Sequence, residues 1–303
     1  MPARPDASPR LPDMPTVADL IRHGAELFDR AGLAYGHGTG NAVDDAAALV
    51  FHALGLDHAQ AEAAYTMHPD GPDLASVLAL FRERVDRRIP AAYLMGRMWF
   101  AGLEFEVDSR VIVPRSPFAE LIDTGFAPWI DASAVKRILD IGTGSGCIAI
   151  ACAVAFPQAI VDAVDLSSHA LEVARRNVAK HGVGDRVRLF QGDVYEPLGD
   201  ARYDLIVSNP PYVSEAEMAR LPAEYRHEPD LALRAGADGL DVVRRILAGL
   251  PRHLEHGGAL FVEVGDSEER MHEAFPELPL TWLEFEHGGG GVFLLRGADL
   301  AEQ

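Results

Sequence analysis

From Lys136 onward the hydrophobic pattern of the chain switches repeatedly between two periods, and this switching constrains the fold most. Runs rich in Val, Ile and Leu at 137–141, 160–164, 187–190, 204–207 and 259–264 are nearly continuous. Between them, 148–155, 169–181 and 239–254 carry apolar residues at helical spacing. Continuously apolar strands need cover on both faces, and strands that alternate with helices run parallel. An α/β fold with a mostly parallel sheet follows. The end differs: residues 280–285, the four glycines at 288–291 and residues 292–295 read as two strands around a tight turn. Such a pair is antiparallel, so a seven-stranded sheet with a C-terminal hairpin is expected.

The first third has another character. Residues 1–15 are Pro-rich, lack the apolar core of a signal peptide and read as a disordered tail. Thr16 with Asp19 three residues later has the form of a helix N-cap. Val17, Leu20, Ile21, Leu27, Phe28 and Ala31 then share one face, and Gly32 ends the helix. Residues 42–56 and 73–89 repeat the pattern, so 16–92 reads as a small helical domain. A packed bundle and a partner-recognition module both fit it. Residues 98–113 alternate and are rich in Phe, Val and Ile, with Asp108 and Ser109 in the middle. They predict a β-hairpin within a linker over 93–117, ahead of the large domain at 118–303. Pro114 and Pro117 set an extended loop around Arg115 before a helix at about 118–126. Arg115 fits either a surface charge or an anchor beside a cleft.

The net charge of −19 argues against a wide nucleic-acid footprint, which needs clustered Lys and Arg. It suits a basic protein partner, or solubility alone. Cys147 and Cys152 offer neither a disulfide framework nor zinc spacing and read as small core residues in a reducing cytosol. The twelve histidines show no metal spacing, so no metal is expected. No apolar run is long enough to span a membrane. His287 before the glycine turn is similar to an esterase oxyanion loop, but no G-x-S-x-G accompanies it.

Four motifs follow four successive strands. The first is Asp140-Ile141-Gly142-Thr143-Gly144-Ser145-Gly146. A dinucleotide fingerprint would need Gly at position 147, where Cys147 stands, and a phosphate loop would need a Lys. Ligands of open α/β sheets sit beyond the carboxyl ends of the strands, where Asp165 follows the second strand. Asp165 fits a ribose acceptor or the N-cap of the next helix. Asp193 and Val194 follow the third; Asp193 fits an acceptor for an adenine amino group or a helix cap, and Val194 can pack on the ring. The fourth motif is Asn209-Pro210-Pro211-Tyr212. Pro210 has a carbonyl but no N–H, and Pro211 restricts it to extended backbone. The loop is stiff and acceptor-rich, and Tyr212 adds a stacking face. Two acceptors and a flat ring suit a planar NH2 group. A strand-ending turn with a packed Tyr is the plainer alternative.

Together the four motifs resemble class I S-adenosylmethionine-dependent methyltransferases acting on amino groups of nucleobases or of protein glutamine. Glu228-Pro229-Asp230-Leu231-Ala232-Leu233 and the helical domain resemble the protein glutamine N(5)-methyltransferase family. Residues 114–120, 224–229 and 282–285 are similar to its branch acting on large-subunit ribosomal protein L-three, sister to the release-factor branch. The resemblance covers about 16–297. It implies a Rossmann-like cytoplasmic enzyme using S-adenosyl-L-methionine, with S-adenosyl-L-homocysteine as product and a basic ribosomal protein as substrate. It implies that Asp140, Gly142, Thr143, Gly144, Ser145 and Gly146 hold the methionine part, Asp165 the ribose, and Asp193 and Val194 the adenine. Asn209 would serve both cofactor and substrate. Pro210, Pro211, Tyr212, Arg115 and Glu228 would face the substrate; a plain turn carboxylate is the other reading of Glu228. Release-factor methylation and nucleic-acid amino methylation are the alternatives, the second disfavoured by charge. A non-catalytic ribosome-assembly module is disfavoured by the intact glycine loop and Asn209.

Overall fold

A computed structural model describes residues 11–57, 61–286 and 288–300. Most of the expected N-terminal tail, and His287, lie outside these residues. The chain forms two compact units: Met1–Arg97 with Pro222–His227, and Met98–Leu221 with Glu228–Gln303.

The first unit holds α1 (Val17–Ala31), α2 (Ala42–Leu54), α3 (Ala61–Ala64), α4 (Gly71–Arg87) and α5 (Ala91–Met95). Thr16 and Asp19 complete a capping box on α1, and Gly32 closes it in the left-handed region. α4 starts two residues earlier than its periodicity suggests. Asp70 caps the Asp73 N–H, and Pro72 tolerates the first turn because no intrahelical N–H is needed there. Val17, Leu20, Phe28, Leu49, Phe51 and Phe81 form the core. Arg84 is buried inside it. Its Nε donates to Asp45 Oδ2 at 2.7 Å and its Nη2 to the Ala34 carbonyl at 3.1 Å. Glu224, from the short Pro222–His227 segment, is also buried. Its Oε1 accepts from the Ala34 N–H at 3.1 Å and Arg88 Nη1 at 2.9 Å, and lies 3.9 Å from Arg84 Nη1. Tyr225 of the same segment packs on the His37 ring with centroids 4.3 Å apart.

β1 (Arg97–Phe100), whose first residue closes the first unit, and β2 (Leu103–Glu106) form a two-stranded sheet at the start of the second unit. Its turn is not at Asp108 and Ser109 but at Ala101 and Gly102, with φ of 46° and 74°. Two left-handed residues match the twist of paired strands. Asp108 instead accepts from the Arg110 N–H and guanidinium, and this hydrogen bonding holds its carboxyl down at about 2. Then follow α6 (Phe118–Asp123), β3 (Arg137–Ile141), α7 (Cys147–Ala155), β4 (Ile160–Asp165), α8 (Ser168–Lys180), β5 (Val187–Gln191) and β6 (Tyr203–Ser208). After them come α9 (Glu215–Met218), α10 (Asp230–Leu233), α11 (Asp241–His253), β7 (Leu254–Glu263), α12 (Glu268–Ala274), β8 (Thr281–Leu283) and β9 (Val292–Arg296).

The large sheet has seven strands in the order β5-β4-β3-β6-β7-β9-β8. β9 runs antiparallel to both its neighbours, and the other pairs are parallel. Ile138, Val161, Leu205 and Phe261 face a core closed by α6 and α7. Leu139, Val164, Ile206 and Leu260 face the opposite core, with α11 and α12. Cover on both faces is the physical reason for the continuous apolar runs. Cys147, partly buried, and Cys152, buried, are free thiols, and burial pushes Cys147 up to about 12.

The glycine turn has one tight position. Gly291 has φ of 67°, and a Cβ there would lie 1.8 Å from the Gly265 carbonyl oxygen. Gly291→Ala is expected to cost about 3 kcal/mol, combining left-handed strain with overpacking. The urea midpoint measures this; an unshifted midpoint would show that the Gly265 turn gives way freely.

Candidate active site

The order of the sheet reverses between β3 and β6, and loops leaving such a switch point open a crevice at the carboxyl edge. Ser208 Oγ donates to the Ile141 carbonyl at 2.7 Å and ties the two strand ends together. Gly142 (φ 76°) borders the next loop, where a Cβ would stand in ordinary contact, 3.8 Å from the Asn209 carbonyl oxygen. Gly144 and Gly146 are also left-handed, at 54° and 81°, where glycine alone is unstrained.

A cleft of about 860 Å³, open solvent at its mouth included, opens here. Gly142, Gly144, Asp165, Asp193, Val194, Asn209 and Pro211 line it. These residues come from four separate loops, and the fold gathers them at one edge. Asp165 Oδ2 accepts from the Gly144 N–H at 2.9 Å and Oδ1 from the Ser167 N–H at 2.8 Å. Burial raises its carboxyl above the usual range, against these two bonds. It is not a helix cap; Ser167 caps α8. Asp193 is not a cap either, and pairs with Arg245 of α11. Val194 adopts φ of 52°, a strained state for a β-branched residue.

Asp140, Thr143, Ser145 and Gly146 do not line the cleft; they build the loop from behind. Asp140 is fully buried, and its Oδ2 accepts from Thr143 Oγ1 at 2.6 Å and the Ala149 N–H at 3.1 Å. Its Oδ1 is buried without a hydrogen-bond partner. Burial pushes this carboxyl up to about 7, partly opposed by those two bonds. The folded value thus lies above the unfolded one near 3.8. As pH rises from about 4 to 7, the unfolded chain ionises while the folded carboxyl resists, so stability falls across that window. Asp140→Asn keeps an acceptor for Thr143 and Ala149 and cannot ionise. It is therefore expected to stabilise the protein more at pH 8 than at pH 5, read by urea unfolding without cofactor. An equal effect at both pH values would contradict this assignment.

Arg115 and Glu228 are placed together. Arg115 Nη1 and Nη2 contact Glu228 Oε1 and Oε2 at 2.5 and 2.7 Å, and Oε1 also accepts from the Val113 N–H at 3.0 Å. The pair fixes the 113–115 segment, and Glu228 is buried. Tyr212 lies beside the cleft with its ring against Gly265, whose Cβ position is 2.8 Å from Tyr212 Cε2. Its hydroxyl donates to Glu263 Oε1 at 3.2 Å.

Sequence reasoning missed several neighbours. Val111, Ile112, Leu166, Leu231 and Arg245 line the cleft; nothing in local periodicity marks them. Leu166 and Leu231 are half exposed, which suits the apolar walls of a ligand site. Glu263 did leave a signal: it is a carboxylate ending an apolar strand, as Asp165 does in its own. Among the described residues no three His, Cys, Asp or Glu side chains form a metal-binding group, and no helix is long and apolar enough to cross a membrane.

Strand order, an inverted β9 next to the sheet edge and a cleft at the switch point define a class I methyltransferase fold. The methyltransferase small domain family model matches residues 122–224. The ribosomal protein uL3 glutamine methyltransferase of Bordetella pertussis is 50% identical over 93% of this chain and 95% of its own length. That of Bradyrhizobium diazoefficiens is 48% identical over 98% of this chain and 97% of its own. The chain belongs to the ribosomal protein uL3 glutamine methyltransferase family. The hMettl16 catalytic domain, solved in complex with MAT2A 3′UTR hairpin 1, shares the fold with a TM-score of 0.51 at 17% identity, covering 75% of this chain and 81% of that one.

Proposed function

We propose that this chain transfers a methyl group from S-adenosyl-L-methionine to the side-chain nitrogen, N(5), of a glutamine in ribosomal protein uL3. The observation that carries the reading is the Asn209–Tyr212 loop beside Gly142 at the switch point. When bound, S-adenosyl-L-methionine supplies an electrophilic methyl on its sulfonium. Gly142 and Gly144 leave room for the methionine part, with Asp140, Thr143, Ser145 and Gly146 shaping the loop. Asp165 meets the ribose hydroxyls with its free lone pairs. Asp193, held by Arg245, and Val194 meet the adenine.

An amide nitrogen is a weak nucleophile because its lone pair is delocalised. The Asn209 side-chain oxygen and the Pro210 carbonyl accept its two N–H bonds, and among the described residues no intramolecular hydrogen bond occupies either acceptor. They aim the lone pair and stabilise the positive charge that grows on nitrogen. Pro211 stiffens the loop and Tyr212 stacks on the amide. Arg115 and Glu228 hold the wall of the substrate side as a neutralised pair. No strong base is required before attack, since the acidic product nitrogen loses its proton afterwards.

The −19 charge complements a basic ribosomal protein, with the helical unit as its recognition module. We place the reaction in the cytoplasm, before or during ribosome assembly. The test is mass spectrometry of ribosomal proteins and release factors from cells lacking the enzyme. Loss of one glutamine methyl from uL3 is expected. A methyl lost from a release factor with uL3 unchanged would reassign the substrate.

A further inference from the structure

Glu263 is the last residue of β7, directly behind the acceptor loop, and is buried. Two hydroxyls from different segments converge on it. Tyr212 donates to Oε1 at 3.2 Å, and Ser116 Oγ donates to Oε2 at 2.6 Å. Ser116 also accepts from the Phe118 N–H at 3.2 Å and so caps the turn into α6. The 113–116 segment is therefore held at one end by Glu228 and at the other by Glu263. Through Glu263 this segment is linked to Tyr212, whose ring rests on Gly265.

We propose that Glu263 is a positioning residue for methyl transfer: its carboxylate receives the Tyr212 and Ser116 hydroxyls, one on each oxygen, and so sets the Tyr212 ring against the acceptor amide. The role rests on the glutamine reading above. Two donors facing two oxygens match the ionised carboxylate. Protonation of Glu263 turns one of these oxygens from an acceptor into a donor, so it no longer receives the hydroxyl that faces it. Burial pushes Glu263 up to about 7, moderated by Ser116, Tyr212 and the charge of Arg115. Arg115 is the cation facing it, and its partner Glu228 partly cancels that charge. Tyr212 is the other titratable group in contact. The matched state thus fills as pH rises through about 7, and turnover is expected to rise with it.

The test uses the full-length enzyme, purified uL3 and methyl-labelled S-adenosyl-L-methionine between pH 6 and 9. Glu263→Gln cannot ionise and places an NH2 against one hydroxyl. It is expected to lower kcat about tenfold at pH 8, the worth of one charged hydrogen bond, with cofactor Kd unchanged and the rise near pH 7 removed. Comparison with wild type isolates Glu263 from Asp140, the other carboxyl that burial holds near 7. Tyr212→Phe deletes the hydroxyl alone; it is expected to show the same loss and to make Glu263→Gln nearly silent when combined, and it carries the test should Glu263→Gln not fold. Wild-type kcat and an unchanged pH profile in Glu263→Gln, or in Tyr212→Phe, overturn the positioning role while leaving the glutamine reading intact. A wild-type enzyme that leaves uL3 unmethylated removes that reading and this role with it.

Discussion

Asn209→Ala is expected to lower uL3 methylation roughly a hundredfold or more while cofactor affinity changes only a few-fold. The size comes from the chemistry. A preorganised polar group that meets charge developing in the transition state is worth about 3–4 kcal/mol, and each 1.36 kcal/mol is tenfold in rate. Asn209 lines the cleft at the carboxyl end of β6. Its backbone is pinned from two sides: Ser208 bonds to Ile141 across the strand gap, and two prolines follow. The substitution therefore removes an acceptor without releasing the loop. Gly142, Gly144, Asp165 and Asp193, the cleft residues proposed to hold the cofactor, are untouched. Calorimetric titration of the cofactor and single-turnover methylation separate the two effects. Near-normal turnover would sink the acceptor mechanism.

The largest expected effect on stability is at Arg84→Met. Arg84 is 1% exposed in the helical unit and donates to Asp45, itself 2% exposed, while facing Glu224, which is fully buried. Methionine fills most of the volume but leaves the Asp45 carboxylate with Thr39 Oγ1 as its remaining side-chain partner among the described residues. Glu224 retains Arg88 and the Ala34 N–H. Breaking one side of a buried ion pair costs about 3–5 kcal/mol because the surviving charge stays desolvated. Urea unfolding should show that loss, and adding Asp45→Leu should recover part of it by removing the stranded charge. A loss below about 1 kcal/mol would mean that water reaches Asp45 once Arg84 is gone.

The fold was legible where pattern and packing agree. The runs at 137–141, 160–164 and 204–207 are apolar because both faces of the sheet are covered, so their period announced strands with little competition. The α1 boundaries were equally readable, since Thr16, Asp19 and Gly32 act through local hydrogen bonds and local backbone conformation. The hairpin turn was misplaced because Asp108 and Ser109 have turn chemistry, whereas Ala101 is left-handed despite a residue type that disfavours it. α12, Glu268–Ala274, left no pattern strong enough to read: only Met271 of its residues is buried.

What the sequence determined by itself were the strand–loop–helix units and the chemistry at their ends: Gly142, Asp165, Asp193 and Asn209 could be picked out because backbone freedom, charge and acceptor content are properties of single residues and their neighbours. What only the tertiary structure decided was which of these groups meet, and which are already occupied. Asp140 turned inward to Thr143 and Ala149, Asp193 found Arg245, Arg115 found Glu228 across 113 positions, and Glu263 collected Ser116 and Tyr212. Those pairings depend on strand order and on burial, which make a charge seek a partner wherever the fold brings one near; neither is written in the spacing of residues along the chain.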